Sequence, residues 1–199
     1  MKDVWKRRRH YKMFTDYEVP KELEEKLDHV IECCPVQRHS QGFVNFFKCT
    51  SKDLVVKEQL SRYVFKNNNL QVNEIAPITA PLVYFCAVQE DVNFRDSIYA
   101  GLVGGALMAE TINAGYNFSF IGCTEDTSSA QLDIINKTLQ NRYNVTKRYS
   151  APFLAFCIGK GKNAKTEGNI YKLYTLHDGQ KIRFGNIKSQ DPLPKRLFL

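Results

Sequence analysis

The pattern of apolar and polar positions divides most of the chain into alternating helices and strands. Apolar residues recur at helical spacing in two segments, which predicts amphipathic helices over residues 21–34 and 51–65, and a further helix, capped by Thr127 or Ser128, is predicted over residues 128–139. Four shorter segments have the length of strands and are rich in apolar or aromatic residues, and the second is continuously apolar: residues 43–50, 81–88, 118–122 and 151–159. In the second helix the expected inward positions are Leu54, Val55, Leu60 and Val64. This order predicts an α+β subunit whose helices pack around one sheet.

The longest apolar segment is a helix predicted over residues 96–116. It is almost wholly apolar from Ile98 to Ala109, and a helix that is apolar on every side belongs in the interior of a structure. Asp96 and Ser97 are residue types that cap helix N-termini, and Gly115 lies where a left-handed C-cap is expected. The rest of the chain is therefore expected to pack around this helix.

Three glycines lie inside this helix, at Gly101, Gly104 and Gly105. Each costs about 1 kcal/mol of helix propensity relative to alanine. Their presence suggests that another backbone approaches closely, such as the same helix of a second subunit, which predicts a homodimer. Burial within a single domain is the alternative. A membrane span is disfavoured because the run is short and carries Glu110 and Asn113 near its end.

The composition changes near residue 165. At 199 residues the chain is long enough for one compact domain with a substantial core, which we assign to residues 1–165. Residues 166–199 are polar and rich in glycine, and we interpret them as a C-terminal extension or arm. Within that extension, residues 171–175 and 181–184 are predicted to form a small hairpin with a turn at Asp178 and Gly179.

The net charge of +7 comes from cations that gather at two places, residues 6–12 and residues 160–165. Two such clusters can converge on one phosphate-bearing ligand, although a solvated basic surface is the simpler interpretation of any single lysine. The six cysteines form no C-x-x-C pair and are interpreted as reduced thiols, mostly in the core. The N-terminus carries no secretory signal pattern, so a cytoplasmic protein is expected.

Local catalytic motifs are absent from the sequence. It contains no G-x-S-x-G, no Walker phosphate loop, no G-x-G-x-x-G and no His/Cys spacing typical of a metal site. We therefore name no catalytic side chain and no metal ligand.

The order of several weaker motifs is more informative. Residues 8–14 (RRHYKMF) resemble the opening motif R-[RH]-S-x-[RK]-x-F of the FMN-dependent nitroreductase family. Residues 35–43 (PVQRHSQGF) stand where that family has P-S-x-x-N-x-Q-P-W. A long core helix ending in A-G-Y, the strand ending in Phe120-Ile121-Gly122 and the strand at residues 151–159 follow in the family's order. The resemblance covers roughly residues 5–162.

This resemblance implies a three-layer nitroreductase-like fold, with a central mixed sheet flanked by helices, in a two-fold homodimer. The long helix would lie at the dimer core, and FMN would bind between the subunits of this domain. The implied activity is electron transfer from NAD(P)H to a small-molecule acceptor such as a nitroaromatic or a quinone, with no nucleic-acid or membrane partner. FMN would carry the redox chemistry, so no side chain need act as acid or base.

The resemblance also implies binding residues, carried over by position. Arg8 and Arg9 would bind the FMN phosphate and ribityl chain, because guanidinium groups match phosphate oxygens. Lys12 would approach the pyrimidine edge of the flavin, and Gln41 would lie beside the ring. The backbone N–H groups of Ile121, Gly122 and Cys123 would face flavin N5, and Lys160, Lys162 or Lys165 would complete the phosphate site. His10, Gln37 and His39 occupy the remaining motif positions.

The departures from the motif bear on activity. His10 and Val36 stand where the family has serines, His39 replaces its asparagine, and Gly42-Phe43 replaces proline-tryptophan. Losing two hydroxyls weakens phosphate or ribityl contacts unless His10 and Gln37 substitute for them. Two alternatives therefore remain open: a flavin-binding protein with little or no turnover, and a basic nucleic-acid-binding module.

Overall fold

The computed structural model describes residues 11, 13–34, 44–64, 76–89, 94–122, 129–162, 173–175 and 181–183. The helices in this part are α1 (Lys21–Cys33), α2 (Leu54–Val64), the short α3 (Ala76–Thr79), α4 (Phe94–Asn113) and α5 (Ser129–Tyr143). The strands are β1 (Val44–Thr50), β2 (Leu82–Gln89), β3 (Asn117–Gly122), β4 (Tyr149–Gly159), β5 (Leu173–Thr175) and β6 (Lys181–Arg183). Each predicted element is present, with its ends shifted by a few residues.

Four strands form one sheet in the order β1-β2-β4-β3, and the predicted α+β class is confirmed. Every pair among these strands is antiparallel, so the described part of the sheet lacks the parallel pair that a mixed sheet requires. The continuous apolar sequence of β2 is compatible with antiparallel pairing because helices cover both faces of the sheet, and all of its residues except Gln89 are buried.

The two faces of the sheet carry separate hydrophobic cores, which gives three layers. Alternate residues of β2 point to opposite faces, so Tyr84 and Cys86 join one core while Val83 and Phe85 join the other. Helices α1 and α4 cover the first face, and α2, α3 and α5 cover the second. The amphipathic helices predicted from the sequence thus bury their apolar sides on one central sheet.

Of the predicted inward positions of helix α2, Leu60 is buried as expected, whereas the first two are not. Leu54 and Val55 were expected to be buried, but Val55 is 67% exposed and Leu54 is also exposed. A 3-10 turn at Ser51–Asp53 precedes the helix, and a capping box between Thr50 and Asp53 fixes where the helical phase begins. That phase leaves the first two apolar residues in solvent.

Helix α4 begins two residues earlier than its predicted cap. Asp96 and Ser97 lie in the first turn of a helix that starts at Phe94, so they are not its N-cap. The predicted C-cap is confirmed: Gly115 has a φ of +78°. Its N–H donates to Ile112 O and the N–H of Tyr116 donates to Thr111 O, both at 3.0 Å, which is the Schellman pattern.

Inside α4, Gly104 is the point of closest approach to the sheet. A Cβ at this position would lie 2.6 Å from a ring carbon of Phe156 in β4, a separation that side chains do not tolerate. The Phe156 ring is in turn stacked with Phe46 and Phe118. The close approach at Gly104 is thus to a side chain of the subunit's own sheet, and the predicted approach of another backbone, such as that of a second subunit, stays a prediction.

A charged cluster joins α1 to the sheet. Asp28 accepts hydrogen bonds from Tyr84 Oη at 2.7 Å and from Lys48 Nζ at 2.5 Å. Burial raises the pKa of the Tyr84 hydroxyl far above its ordinary value, and the hydrogen bond to Asp28 raises it further. The hydroxyl therefore stays protonated and keeps donating to the Asp28 carboxylate.

The chain divides into two compact units, Met1–Lys162 and Asn163–Leu199. In the second unit, β5 and β6 pair antiparallel, with Leu173 opposite Arg183, as the predicted hairpin requires. Its predicted turn at Asp178 and Gly179 lies outside the described residues. The assignment of residues 1–165 to one FMN-binding domain stays a prediction. Within the described segments, no helix has the length and apolar character to cross a membrane.

The buried thiol of Cys86 makes stability depend on alkaline pH. Burial raises its pKa from 9.0 to about 12, so between these values the unfolded chain loses a proton that the folded chain keeps. The stabilising contribution is complete below pH 9 and is lost as the pH rises towards 12. Replacing Cys86→Ala should make the fall in unfolding free energy above pH 9 shallower by about 1.4 kcal/mol per pH unit. Urea unfolding at several pH values under reducing conditions measures this.

The matched control is Val88→Ala, which removes a side chain of similar size from the same strand and the same core without removing a thiol. It should lower stability at every pH and leave the slope unchanged. If the unfolding free energy falls with pH equally steeply in wild type and in Cys86→Ala, the Cys86 thiol is not the cause of the pH dependence.

Candidate functional site

The N-terminal motif, residues 8–14, ends beside the end of β4. The Thr15 N–H donates to Lys160 O at 2.8 Å, and the Lys162 N–H donates to Met13 O at 3.0 Å. These bonds flank an antiparallel bridge between Phe14 and Gly161. Two segments that are about 150 residues apart in the sequence are thus in direct contact: one directly follows the basic cluster at residues 6–12, and the other belongs to the basic cluster at residues 160–165.

Phe14 anchors this part of the chain. Its side chain is buried, and its N–H donates to Thr79 Oγ1 at 3.0 Å. A Cβ on Gly159 would lie 2.6 Å from Pro81 Cδ and 3.1 Å from Phe14 Cδ1, so the absence of a side chain there leaves room for both rings. Phe14 therefore packs this part of the N-terminal segment into the second core.

Tyr11 makes a similar contact with Gly161. A Cβ on Gly161 would lie 2.5 Å from Tyr11 Cγ and closer still to two other ring atoms. The Gly161 N–H donates to Asn117 Oδ1 at 2.8 Å, which ties this glycine to the start of β3. The tyrosine next to Lys12 in sequence thus lies against a backbone that is fixed to the sheet.

Lys160 closes the C-terminus of α4. Its ammonium donates to Gly115 O at 2.6 Å and lies 4.0 Å from the centre of the Tyr116 ring. A cation at this place satisfies a free helix carbonyl and complements the negative end of the helix dipole. Lys162 is exposed. Of the two predicted phosphate ligands in this segment, Lys162 has the side chain at the surface.

Ile121 and Gly122 lie at the other end of β3. In the β3–β4 pairing Asn117 is opposite Gly159, whereas Gly122 is opposite Leu154. Five residues of strand, or about 17 Å, therefore separate the predicted N5-facing backbone from the segment that holds Lys160 and Lys162. These two groups of predicted residues do not form a single cluster.

An exposed apolar surface extends along α4 next to β3. We call it the apolar face and define it by Ile98, Gly101, Leu102, Gly105 and Phe120. Leu102 is 56% exposed and Phe120 is 51% exposed, and a Cβ on Gly101 or Gly105 would meet no atom within 4 Å.

The helix part and the strand part of the apolar face both adjoin Phe156 of β4. Gly104 contacts Phe156, and Phe156 is the cross-strand partner of Phe120. Phe120 points to the side of the sheet that α4 covers, as Phe118 does two residues earlier. Gly104, which precedes the open Gly105, and Phe120, which precedes Ile121 and Gly122, are therefore linked through Phe156.

The remaining predicted site residues lie outside the described part of the chain: Arg8, Arg9, His10, Lys12, Gln37, His39, Gln41, Cys123 and Lys165. Their roles stay predictions.

Lys57 was missed by the sequence analysis. It is buried among the residues of the second core and donates through Nζ to Ala80 O at 2.8 Å. Burial lowers the pKa of its ammonium. The bond holds α2 against the turn that follows Thr79, whose hydroxyl anchors Phe14. Residues three apart lie on the same side of a helix, so the position of Lys57 three residues before Leu60 could have indicated that Lys57 is buried.

Comparison with known proteins identifies the architecture. No protein-family model matches the chain, and no curated protein matches its sequence. Among solved structures, a nitroreductase family protein from Clostridium novyi NT superposes with a TM-score of 0.60 at 14% identity, over 84% of this chain and 88% of that one. The chain has the nitroreductase fold.

Two further structures with the nitroreductase fold agree with this assignment. An FMN-dependent nitroreductase from Clostridium difficile R20291 gives a TM-score of 0.60 at 18% identity, over 83% of this chain and 90% of that one. An FMN-dependent nitroreductase from Mycobacterium smegmatis, in complex with NADPH, gives 0.57 at 12% identity, over 81% and 87%. The resemblance inferred from the order of the motifs is confirmed at the level of the fold.

The position of Lys160 in the nitroreductase fold predicts a stability effect. Lys160→Met keeps the aliphatic stem but removes the hydrogen bond to Gly115 O and the contact of the cation with Tyr116. The unfolding free energy should fall by about 1 kcal/mol, measured by urea unfolding at neutral pH. Lys162→Met, an exposed change two residues away, should alter it by less than about 0.5 kcal/mol. Equal effects of the two variants would argue against the capping role.

Proposed function

We propose that this chain is an FMN-dependent oxidoreductase that takes electrons from NAD(P)H and delivers them to a nitroaromatic, a quinone or a related small acceptor. The observation that supports it most is the nitroreductase fold, in which solved relatives described as FMN-dependent superpose over more than four fifths of this chain. The anchored end of the N-terminal motif adds support from this chain's own contacts. A cytoplasmic location is part of the proposal.

The basic end of the site suits the phosphate of FMN. Arg8 and Arg9 precede Tyr11 by three and two residues, so the chain keeps them within about 10 Å of the Tyr11 backbone. Lys162 lies at the surface of the same corner. Arginine forks form paired, charge-assisted hydrogen bonds with phosphate oxygens. We assign the phosphate to these three cations, with His10 and Lys12 as neighbours in the motif.

The ring of FMN suits the apolar face. A flat heteroaromatic ring is bound mainly by apolar surface with a few polar groups, and Leu102 and Phe120 offer exposed apolar surface near Ile121 and Gly122. The backbone N–H groups at residues 121–123 would donate to the ring edge, and Gln37, His39 and Gln41 would contribute from the preceding loop. Bound FMN would accept hydride from NAD(P)H and pass two electrons to the acceptor.

The same surface supports a homodimer. An exposed leucine and phenylalanine beside two glycines with open Cβ positions form a surface that a second backbone can approach closely. A two-fold axis through α4 would place identical apolar faces together. The flavin would then bind at the edge of the subunit contact.

An acidic residue in the apolar face should prevent dimer formation. Leu102→Glu places a carboxylate where the proposed contact is apolar, and burying an unpaired charge is strongly unfavourable. At micromolar concentration, wild type should have twice the 22.9 kDa mass of one chain by sedimentation equilibrium, and the variant should have about half the mass of wild type.

The control for Leu102→Glu is Ile134→Glu on α5. The exposed fraction of Ile134, 57%, is almost equal to the 56% of Leu102. Ile134 differs in lying on the helix that covers the opposite side of the sheet. That variant should keep the wild-type mass. A monomeric wild type, or a dimer unaffected by Leu102→Glu, would sink the dimer proposal.

A flavin-binding protein without turnover is the second candidate. The motif departures at His10 and Val36 favour it, because both replace serines that supply hydroxyls in the family pattern. Steady-state oxidation of NAD(P)H with an added quinone separates the two candidates once purified protein has been shown to hold FMN. A strongly salt-dependent affinity for DNA with no bound flavin would instead favour a nucleic-acid-binding module.

The phosphate assignment is tested by comparing two flavins. Arg8→Ala/Arg9→Ala removes charge-assisted hydrogen bonds worth about 1.5–3 kcal/mol each, so the Kd for FMN should rise at least tenfold. Riboflavin lacks the phosphate, and its Kd should change far less. Fluorescence titration measures both. No loss for either flavin would refute the assignment, and equal losses would indicate damage to the fold.

A further inference from the structure

His29 and Cys33 form an exposed pair near the end of α1. Residues four apart lie on the same side of a helix, and both side chains are exposed, whereas the buried residues of α1 are Leu23 and Leu27. The Cys33 sulfur lies 3.4 Å from His29 Nε2 and 3.5 Å from Nδ1. The spacing H-x-x-x-C indicates no metal site in the sequence alone, and it is the helix that brings the two side chains together.

The separation of these two groups matches that of neighbouring ligands on a tetrahedral zinc ion. With a Zn–S bond of about 2.3 Å and a Zn–N bond of about 2.0 Å at the tetrahedral angle, sulfur and nitrogen are about 3.5 Å apart. Histidines at i and i+4 on a helix supply two zinc ligands in the same manner. Both ring nitrogens of His29 are near this distance, so either tautomer offers an unprotonated nitrogen close to the sulfur.

The surroundings of the pair favour a cation. Cys33 is the last residue of α1, where free carbonyl groups form the negative end of the helix dipole. The last turn of α1 contains no basic residue, and Glu32 adds a negative charge beside Cys33. Activated nucleophilic cysteines have electropositive surroundings, which this turn does not provide. Binding of a metal ion therefore suits the pair better than nucleophilic chemistry.

The neighbouring Cys34 is a poorer ligand. Its side chain packs against the first core, and burial raises the pKa of its thiol. Metal ions bind the thiolate, so a thiol that keeps its proton binds them less well. Cys34 therefore serves as an internal comparison for Cys33.

We propose that His29 and Cys33 form a surface site for a thiophilic divalent metal ion such as Zn²⁺. The thiolate of Cys33 and one ring nitrogen of His29 bind the ion, and the thiol proton is released to solvent. Among the described residues, no group of three or more metal-ligating side chains converges, so water fills the remaining coordination positions. The proposal uses no residue assigned to the flavin and does not rest on the proposed function.

The test measures the Cys33 thiol in the full-length protein. Iodoacetamide alkylates exposed thiols, and mass spectrometry of the digested protein reports on Cys33 separately from the other cysteines. Zn²⁺ should slow the alkylation of Cys33 in wild type. In His29→Gln the Zn²⁺ concentration that gives half-maximal protection should rise about tenfold or more, because losing a ligand costs at least as much as losing the groups that orient one. His29→Glu, which keeps a zinc ligand at this position, should lose less.

The matched control is Glu22→Gln. Glu22 is an exposed residue two turns before His29 on the same side of α1, so this variant removes a charge from that side but no ligand. It should protect Cys33 as wild type does. The substituted side chains are exposed, so every variant should have the thermal unfolding midpoint of wild type.

Co²⁺ gives a second readout, because a bound thiolate produces a charge-transfer absorption. Cys33→Ser should lower this absorption, and Cys34→Ser should keep it. If Zn²⁺ leaves the alkylation rate unchanged in wild type, or protects Cys33 equally in His29→Gln, the proposal is overturned and Cys33 is an exposed thiol only. If a His29 variant does not fold, the Co²⁺ absorption of the two cysteine variants decides the question. Neither measurement needs FMN, so failure of the proposed function leaves both of them valid.

Discussion

The close approach of α4 to the sheet at Gly104 determines how the other layers of the main unit are arranged. Because Gly104 has no side chain, the helix lies directly on Phe156, whose ring is stacked between Phe46 and Phe118. This fixes which side of α4 is buried and turns Gly101 and Gly105 outwards. The helix ends at the Gly115 turn, which leads into β3 and forms the corner to which Lys160 is bonded.

Charged groups then join the outer helices to this centre at a few points. Asp28 ties α1 to the sheet, and Lys57 ties α2 to the turn after Thr79, with each charge meeting hydrogen-bond partners where it leaves water. Such pairing matters because a buried charge without partners is strongly unfavourable. The turn that Lys57 supports also holds Phe14, so a polar contact within the second core helps to support the N-terminal motif.

The elements could be predicted from the sequence because apolar periodicity reports burial, and burial decides most of this fold. Two details of the helices were predicted wrongly. Helix α2 follows a capped 3-10 turn at Thr50 and leaves its first two apolar residues exposed. Helix α4 begins before Asp96 and Ser97, the residues predicted to cap it. The antiparallel pairing of the strands was not predictable, because a strand that is buried on both faces has the same continuous apolar sequence in parallel and in antiparallel sheets.

The candidate site was less predictable because its contacts join residues that are far apart in sequence. Nothing near Lys160 indicates that its ammonium meets Gly115, 45 residues earlier, and nothing near Gly161 indicates the ring of Tyr11. The order of the motifs predicted the fold family, but a motif gives no distances. Only the pairing of β3 with β4 reveals that Gly122 and Lys162 lie at opposite ends of a strand.

The three glycines inside α4 lower its helix propensity, and contacts within the described structure account for this cost at only one of them. Each costs about 1 kcal/mol of helix propensity relative to alanine. At Gly104 the contact with Phe156 accounts for that cost, because a Cβ would not fit. At Gly101 and Gly105 the space is open, so an isolated subunit gains nothing from the missing side chains. Within the described residues no contact accounts for the cost at these two positions, and the adjoining exposed Leu102 and Phe120 are consistent with the apolar subunit contact proposed above.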